Sequence, residues 1–138
     1  LGEDEYRILR EGVDVRRLSF GLEDAIRTYE FTTPWIALNQ ENYHAFYAAK
    51  DSAERRDLLR RTLTGNLLSM SRSLGYQVPG QIRVETDVKP LKRRLKDVNV
   101  MAFTGRFIAN FQIPDLLGIG KSVSRGFGAV RQIQPEGR

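Results

Sequence analysis

The chain has no cysteine and a single histidine, His44, among its 138 residues. The first absence removes disulfides, thiolate zinc sites and cysteine nucleophiles together. The second means that neither a multi-histidine metal centre nor a two-histidine acid–base pair can be built from this chain alone. Long apolar runs are missing too. No stretch free of charged side chains exceeds ten positions, against the roughly 20 that a membrane-spanning helix needs. The opening, Leu1-Gly2-Glu3-Asp4-Glu5, is acidic and polar, unlike a signal peptide. It also lacks an initiator methionine. The expectation is a fragment or processed product, soluble and cytoplasmic, with no membrane partner, metal or other cofactor.

What is present is ordinary globular composition, with 41% hydrophobic and 28% charged residues, unlike that of a disordered segment. The length argues for one domain that buries about two-thirds of its unfolded surface. Its charge is unevenly placed. Residues 1–80 hold 11 basic and 12 acidic side chains, whereas residues 81–138 hold 11 basic and five acidic. Lys89, Lys92, Arg93, Arg94 and Lys96 fall within eight positions without an acid among them. Such a cluster attracts polyanions in a salt-dependent way, although a solvated loop of surface cations would read the same.

The periodicity predicts α+β organisation. Residues 1–20, with a strand-like run at Tyr6 and Ile8, read as a lead-in or the end of a missing N-terminal domain, and residues 21–138 as the domain itself. From Ile26 to Leu38 the pattern is extended, with Tyr29, Phe31 and Thr33 on one face, until Pro34 ends the pairing. Residues 40–49 and 52–74 read as helices, the second capped by Asp51 or Ser52 and closed by Gly75, with Leu59, Leu63, Leu67, Met70 and Leu74 on its apolar stripe. Ile82, Val84, Thr86 and Val88 alternate with polar residues, and Pro90 breaks the phase. Met101, Phe103, Phe107, Ala109 and Phe111 share a face of the next strand. The polar turn at residues 97–99 then makes a long hairpin with the basic cluster at its far end. Residues 114–117 allow one helical turn at most, and Phe127–Ile133 is the last strand. The order β, α, β, β, short degenerate α, β is a ferredoxin-like plan with an antiparallel sheet, shared with RNA-recognition domains. That fold hosts many functions and does not decide among them.

Residues 118–129 carry more. Gly118, Gly120, Gly126 and Gly128 fall in eleven positions, interleaved with Lys121, Ser122, Ser124 and Arg125. Glycines leave backbone N–H groups unscreened, and the four side chains are donors suited to phosphate oxygens. The expectation is that these amides and cations grip a ribonucleotide chain; a tight loop whose glycines only supply positive φ is the plainer reading. Gly120-Lys121-Ser122 also looks like the end of a nucleotide-binding phosphate loop, but that motif needs glycine where Asp115 stands. Nucleotide hydrolysis is therefore set aside.

Gly-Ile-Gly, five residues, then Gly-Phe-Gly-Ala resembles the C-terminal glycine-rich motif of the repeat-associated (RAMP) superfamily, in particular its CRISPR-repeat-processing endoribonucleases. The segment from Tyr29 through Thr33-Pro34-Trp35-Ile36 to Tyr43 is similar to the opening of the C-terminal domain in one subgroup. The two matches bracket residues 28–130. The resemblance implies two ferredoxin-like domains, of which this chain holds the C-terminal one, and metal-independent cutting of CRISPR precursor RNA by attack of a ribose 2′-OH on the adjacent phosphate. It implies RNA contact by Gly118, Gly120, Lys121, Ser122, Ser124, Arg125, Gly126 and Gly128, to which the charge map adds Lys92, Arg93, Arg94 and Lys96. The family's catalytic histidine lies in the N-terminal half. His44 is a candidate acid or base by elimination, but reads better as a surface or packing residue; Tyr43 and Trp35 read better as core and packing residues than as base-stacking platforms. The partners implied are CRISPR repeat RNA, the missing N-terminal domain and other CRISPR effector subunits. Two other functions fit the sequence: a non-catalytic subunit that holds guide RNA in a ribonucleoprotein, and an unrelated ferredoxin-like interaction module.

Overall fold

The computed structural model describes residues 20–134 apart from residue 96. The expected strand at Tyr6 and Ile8, nearly all of the lead-in, and Lys96 lie outside these residues. The described chain runs β1 (Gly21–Phe31), α1 (Gln40–Ala48), α2 (Ser52–Ser73), β2 (Val84–Leu95), β3 (Val98–Gln112), a 3-10 turn (Val123–Arg125) and β4 (Val130–Ile133). The strands form one antiparallel sheet in the order β2-β3-β1-β4. This is the ferredoxin-like arrangement that the sequence pattern predicts, with the second helix reduced to the three-residue 3-10 turn.

The two helices begin where side chains can satisfy their free N–H groups. Asn39 accepts from the Asn42 N–H at 2.8 Å, and Asp51 accepts from the Glu54 N–H at 2.9 Å. Along α2, Leu58, Leu59, Leu63 and Leu67 are buried against the sheet residues Tyr29, Phe31, Val84, Phe103, Phe107 and Phe111. Among the described residues, nothing covers the opposite face of the sheet in this way. It carries Thr28, Glu30, Arg106 and Ile108, with Glu30 paired to Arg131 of β4. The aromatic rings therefore point at the helices, so this sheet offers no stacking platform of the kind that RNA-recognition domains use.

Several boundaries differ from the sequence reading. β1 starts at Gly21, five residues early, because residues 23–26 form an irregularity between the pairs Leu22–Phe111 and Arg27–Ala109 that hides the alternation. β2 runs straight through Pro90, which pairs with Phe103, and continues to Leu95. An edge strand tolerates the missing N–H. The basic residues 89–94 are accordingly strand residues and not a loop at the tip. Residues 114–117 hold no helical turn. The last strand starts at Val130, because Gly128, at φ +79, directs its N–H to the Pro34 carbonyl at 2.7 Å and cannot join the ladder.

Trp35 is the centre of the packing. It is fully buried, stacks on Phe31 at 5.1 Å, and donates its indole N–H to Asn66 of α2 at 3.0 Å. Its backbone exchanges two 2.8 Å hydrogen bonds with Phe103 of β3. The next residue, Ile36, accepts the Lys121 N–H at 2.9 Å. The pair of residues after Pro34 thus straps the β2–β3 hairpin to the glycine-rich segment just ahead of α1.

Candidate functional site

That strap brings three stretches to one cavity of about 730 Å³. α1 contributes Tyr43, His44 and Tyr47, the hairpin contributes Lys92, Asn99 and Met101, and the glycine-rich segment contributes Lys121 and Ser122. Its apolar lining comes from Ile36, Leu38 and Met101, with Val98 and Val100 at the turn end of the hairpin. Among the described lining residues the charged groups are two lysines, with no carboxylate. Lysines held over a low-dielectric floor attract an anion more strongly than they would on an open surface.

The hairpin divides its cations. Residues that pair across strands share a face, and faces alternate along a strand. Lys92 pairs with Met101 and Arg94 with Asn99, on the helix-covered face. Lys89 and Arg93 point to the opposite face. Arg94 lies 3.7 Å from Asp97 in an exposed ion pair and donates to Asn99 Oδ1 at 3.4 Å, both weak contacts in water. Of the hairpin cations, Lys92 therefore lines the cavity, Arg94 borders it and Arg93 faces away. Lys96 lies outside the described residues.

The glycine-rich segment is built differently from the cradle of free amides that the sequence suggests. The N–H groups of Ile119, Lys121 and Gly128 donate to the carbonyls of Gly128, Ile36 and Pro34 at 2.9, 2.9 and 2.7 Å. Those of Arg125, Gly126 and Phe127 close turns onto Ser122 and Val123. The glycines make room for backbone. A Cβ on Gly128 would lie 1.9 Å from the Ile119 carbonyl oxygen, and one on Gly120, at φ +95, would lie 2.7 Å from the Trp35 ring and the Ile36 carbonyl. Gly118 forms a bridge with Ala129, and Gly126 lies exposed beyond the 3-10 turn. What the segment offers outward is side chains: Lys121, Ser124 and Arg125 are exposed and Ser122 is half-buried. Lys121 and Ser122 face the cavity, while Ser124 and Arg125 are not among its lining residues.

His44 is exposed on α1, with its ring 6.0 Å from that of Tyr43. Trp35 is core, as the sequence suggests; Tyr43 is not, being 43% exposed, and with Tyr47 it forms the aromatic wall of the cavity. The Tyr47 phenol is pushed up by partial loss of water and then by the neighbouring Tyr43 hydroxyl. The sequence reading takes Tyr43 for a core residue and sets its stacking role aside, although Tyr43 and Tyr47, four apart, are neighbours on the helix surface. Among the described residues, no three His, Asp or Glu side chains gather where they could hold a metal ion. No described helix is long and apolar enough to cross a membrane.

Comparison with known proteins supplies the family. Residues 21–133 match the model of the Cas6b C-terminal domain. The chain belongs to the Cas6b C-terminal domain family. This bears out the resemblance carried by the glycine-rich motif and by the segment around Trp35. Two solved structures, a crystal structure of Cas6b and one of the CRISPR RNA processing endoribonuclease Cas6b, each superpose with a TM-score of 0.80 at 44% identity. In both, the match covers 83% of this chain and 58% of the other, so this Cas6b-type domain spans a little over half of those relatives. An uncharacterized protein of Methanocaldococcus jannaschii is 36% identical over 130 residues, 94% of this chain and 88% of its own. Csf5, a type IV Cas6 crRNA endonuclease, shares the fold at a TM-score of 0.61 and 18% identity, over 85% of this chain and 47% of its own.

Proposed function

We propose that this chain is the RNA-binding C-terminal domain of an endoribonuclease that processes CRISPR repeat RNA. The observation that carries the reading is the convergence of Lys92, Lys121 and Ser122 on one cavity of a Cas6b-type domain. In this reading the RNA backbone lies across the cavity and along the outer side of the glycine-rich segment, where Ser124 and Arg125 extend the contact. The strand is cut without a metal ion. The ribose 2′-OH attacks the adjacent phosphorus, the bond to the 5′ oxygen of the next nucleotide breaks, and a cyclic phosphate and a 5′-OH result. Catalysis then needs a group to take the 2′ proton and another to protonate the leaving oxygen. Both come from an N-terminal domain outside this chain, while this domain positions the strand. His44 belongs to the binding surface and does not supply the base.

The experiment compares this 138-residue chain with a full-length protein carrying an N-terminal domain, each incubated with repeat RNA in EDTA. The expected outcome is binding by both and site-specific scission by the longer protein only. Cleavage by the short chain that His44→Ala abolishes would overturn this division of labour. A second reading is a non-catalytic subunit that holds guide RNA. Failure of any full-length protein to cut repeat RNA, with binding retained, would select it.

A further inference from the structure

The wall of the cavity has a composition that phosphate binding does not explain. Tyr43 and Tyr47 are 43% and 52% exposed, whereas Tyr29, Trp35, Phe103, Phe107 and Phe111 are essentially buried. Folding leaves this aromatic area in water although it has the apolar floor of Ile36 and Met101 beside it. Exposed aromatic area rimmed by polar groups marks a binding surface. The two rings meet edge to face at 4.9 Å and 68°, so their contact takes at most one face of one ring. His44 meets Tyr43 in the same edge-on way, at 76°. With 43% of Tyr43 in water, ring area remains for a flat aromatic guest to lie against.

We propose that this cavity takes one unstacked nucleobase of an RNA strand, held against Tyr43, with the phosphates on its two sides held by Lys92 and Lys121. This rests on the RNA-binding reading above and adds a base pocket to it. The size fits, since about 730 Å³ falls in the range of small-molecule sites, roughly 300–1,000 Å³. Charge fits as well. The lysines come from two different segments, the hairpin and the glycine-rich segment, so they flank the cavity, and no described lining residue is acidic. A strand held by both lysines has the tyrosines of the same cavity beside it to receive a base. Aromatic stacking plus flanking cations is how single-stranded nucleic acid is held without a reading of the groove.

The test uses the full 138-residue chain, an octamer of uridylate and an abasic ribose-phosphate octamer of equal length. Tyr43→Ala is expected to weaken uridylate binding about tenfold and abasic binding less than about twofold. Tyr43→Phe, which keeps the ring, restores uridylate binding. Lys121→Ala weakens both oligomers alike. Because Tyr43 is exposed, the Ala variant folds as the parent does, which an unchanged unfolding midpoint verifies. An equal loss on both oligomers, or no loss on uridylate, overturns the base pocket and leaves RNA binding standing. A parent chain that binds neither oligomer at low salt overturns both. Sedimentation velocity covers the remaining occupant: if Tyr43→Ala dissociates a dimer and leaves uridylate affinity unchanged, the wall packs against a second copy and the proposal fails.

Discussion

Tyr29 joins two elements through one hydroxyl. It donates to the Phe111 carbonyl at 2.7 Å and accepts the Ile113 N–H at 2.9 Å, with no exposure to water. Burial pushes its phenol above the ordinary tyrosine value by more than the Ile113 contact lowers it. The folded state therefore favours the neutral form. This contribution is present in full below the unfolded value of about 10 and is lost as pH rises through the higher folded value. Tyr29→Phe leaves the Ile113 N–H and the Phe111 carbonyl without a buried partner, at an expected cost of about 1–3 kcal/mol in urea unfolding at pH 7. Repeated above about pH 10, the same measurement should show the parent losing more stability than the variant. Equal losses would mean that the phenol ionises in the fold as easily as outside it.

At the scale of elements, the glycine-rich segment is a clasp. The carbonyls of Pro34 and Ile36 accept the N–H groups of Gly128 and Lys121, and Gly128 lies so close to Ile119 that no side chain fits between them. Gly128→Ala combines that clash with a left-handed φ, and about 2 kcal/mol or more of stability should be lost. Since the clasp also positions Lys121, affinity for repeat RNA should fall with it. An unchanged unfolding midpoint would show that the segment is held some other way. The hairpin is the second element that matters here. Its pleat sends Lys92 to the cavity and Arg93 to the other face.

Across the whole molecule, the charge of +6 over residues 81–138 produces an asymmetric field. Binding to repeat RNA should fall steeply with salt, and each lost phosphate contact should reduce the slope of log affinity against log salt by roughly 0.7–1. Lys92→Ala is expected to show that reduction and Arg93→Ala to show little of it, since the two residues differ in face and not in charge. Titrations at four salt concentrations decide this. Equal slopes for both variants would mean that the RNA answers to the net charge of the hairpin and not to the cavity.

The sequence by itself determined the element order, both helices with the Asp51 cap of the second, the buried faces of β2 and β3, and the family. Each of these is written in local spacing: Leu59, Leu63 and Leu67 recur at helical period, and Val84 and Thr86 alternate. The missed features have non-local causes. Pro90 remains in a strand because β2 is at the sheet edge, which only the assembled order β2-β3-β1-β4 reveals. Tyr43 reads as core beside Phe46, yet the turn of α1 sends Phe46 inward and Tyr43 to the cavity. The amides of Lys121 and Gly128 look free in the sequence and are taken by Ile36 and Pro34, more than 80 positions earlier. Spacing along the chain sets which side chains share a face; which backbone groups and which faces remain open depends on partners that only the folded chain brings within hydrogen-bonding distance.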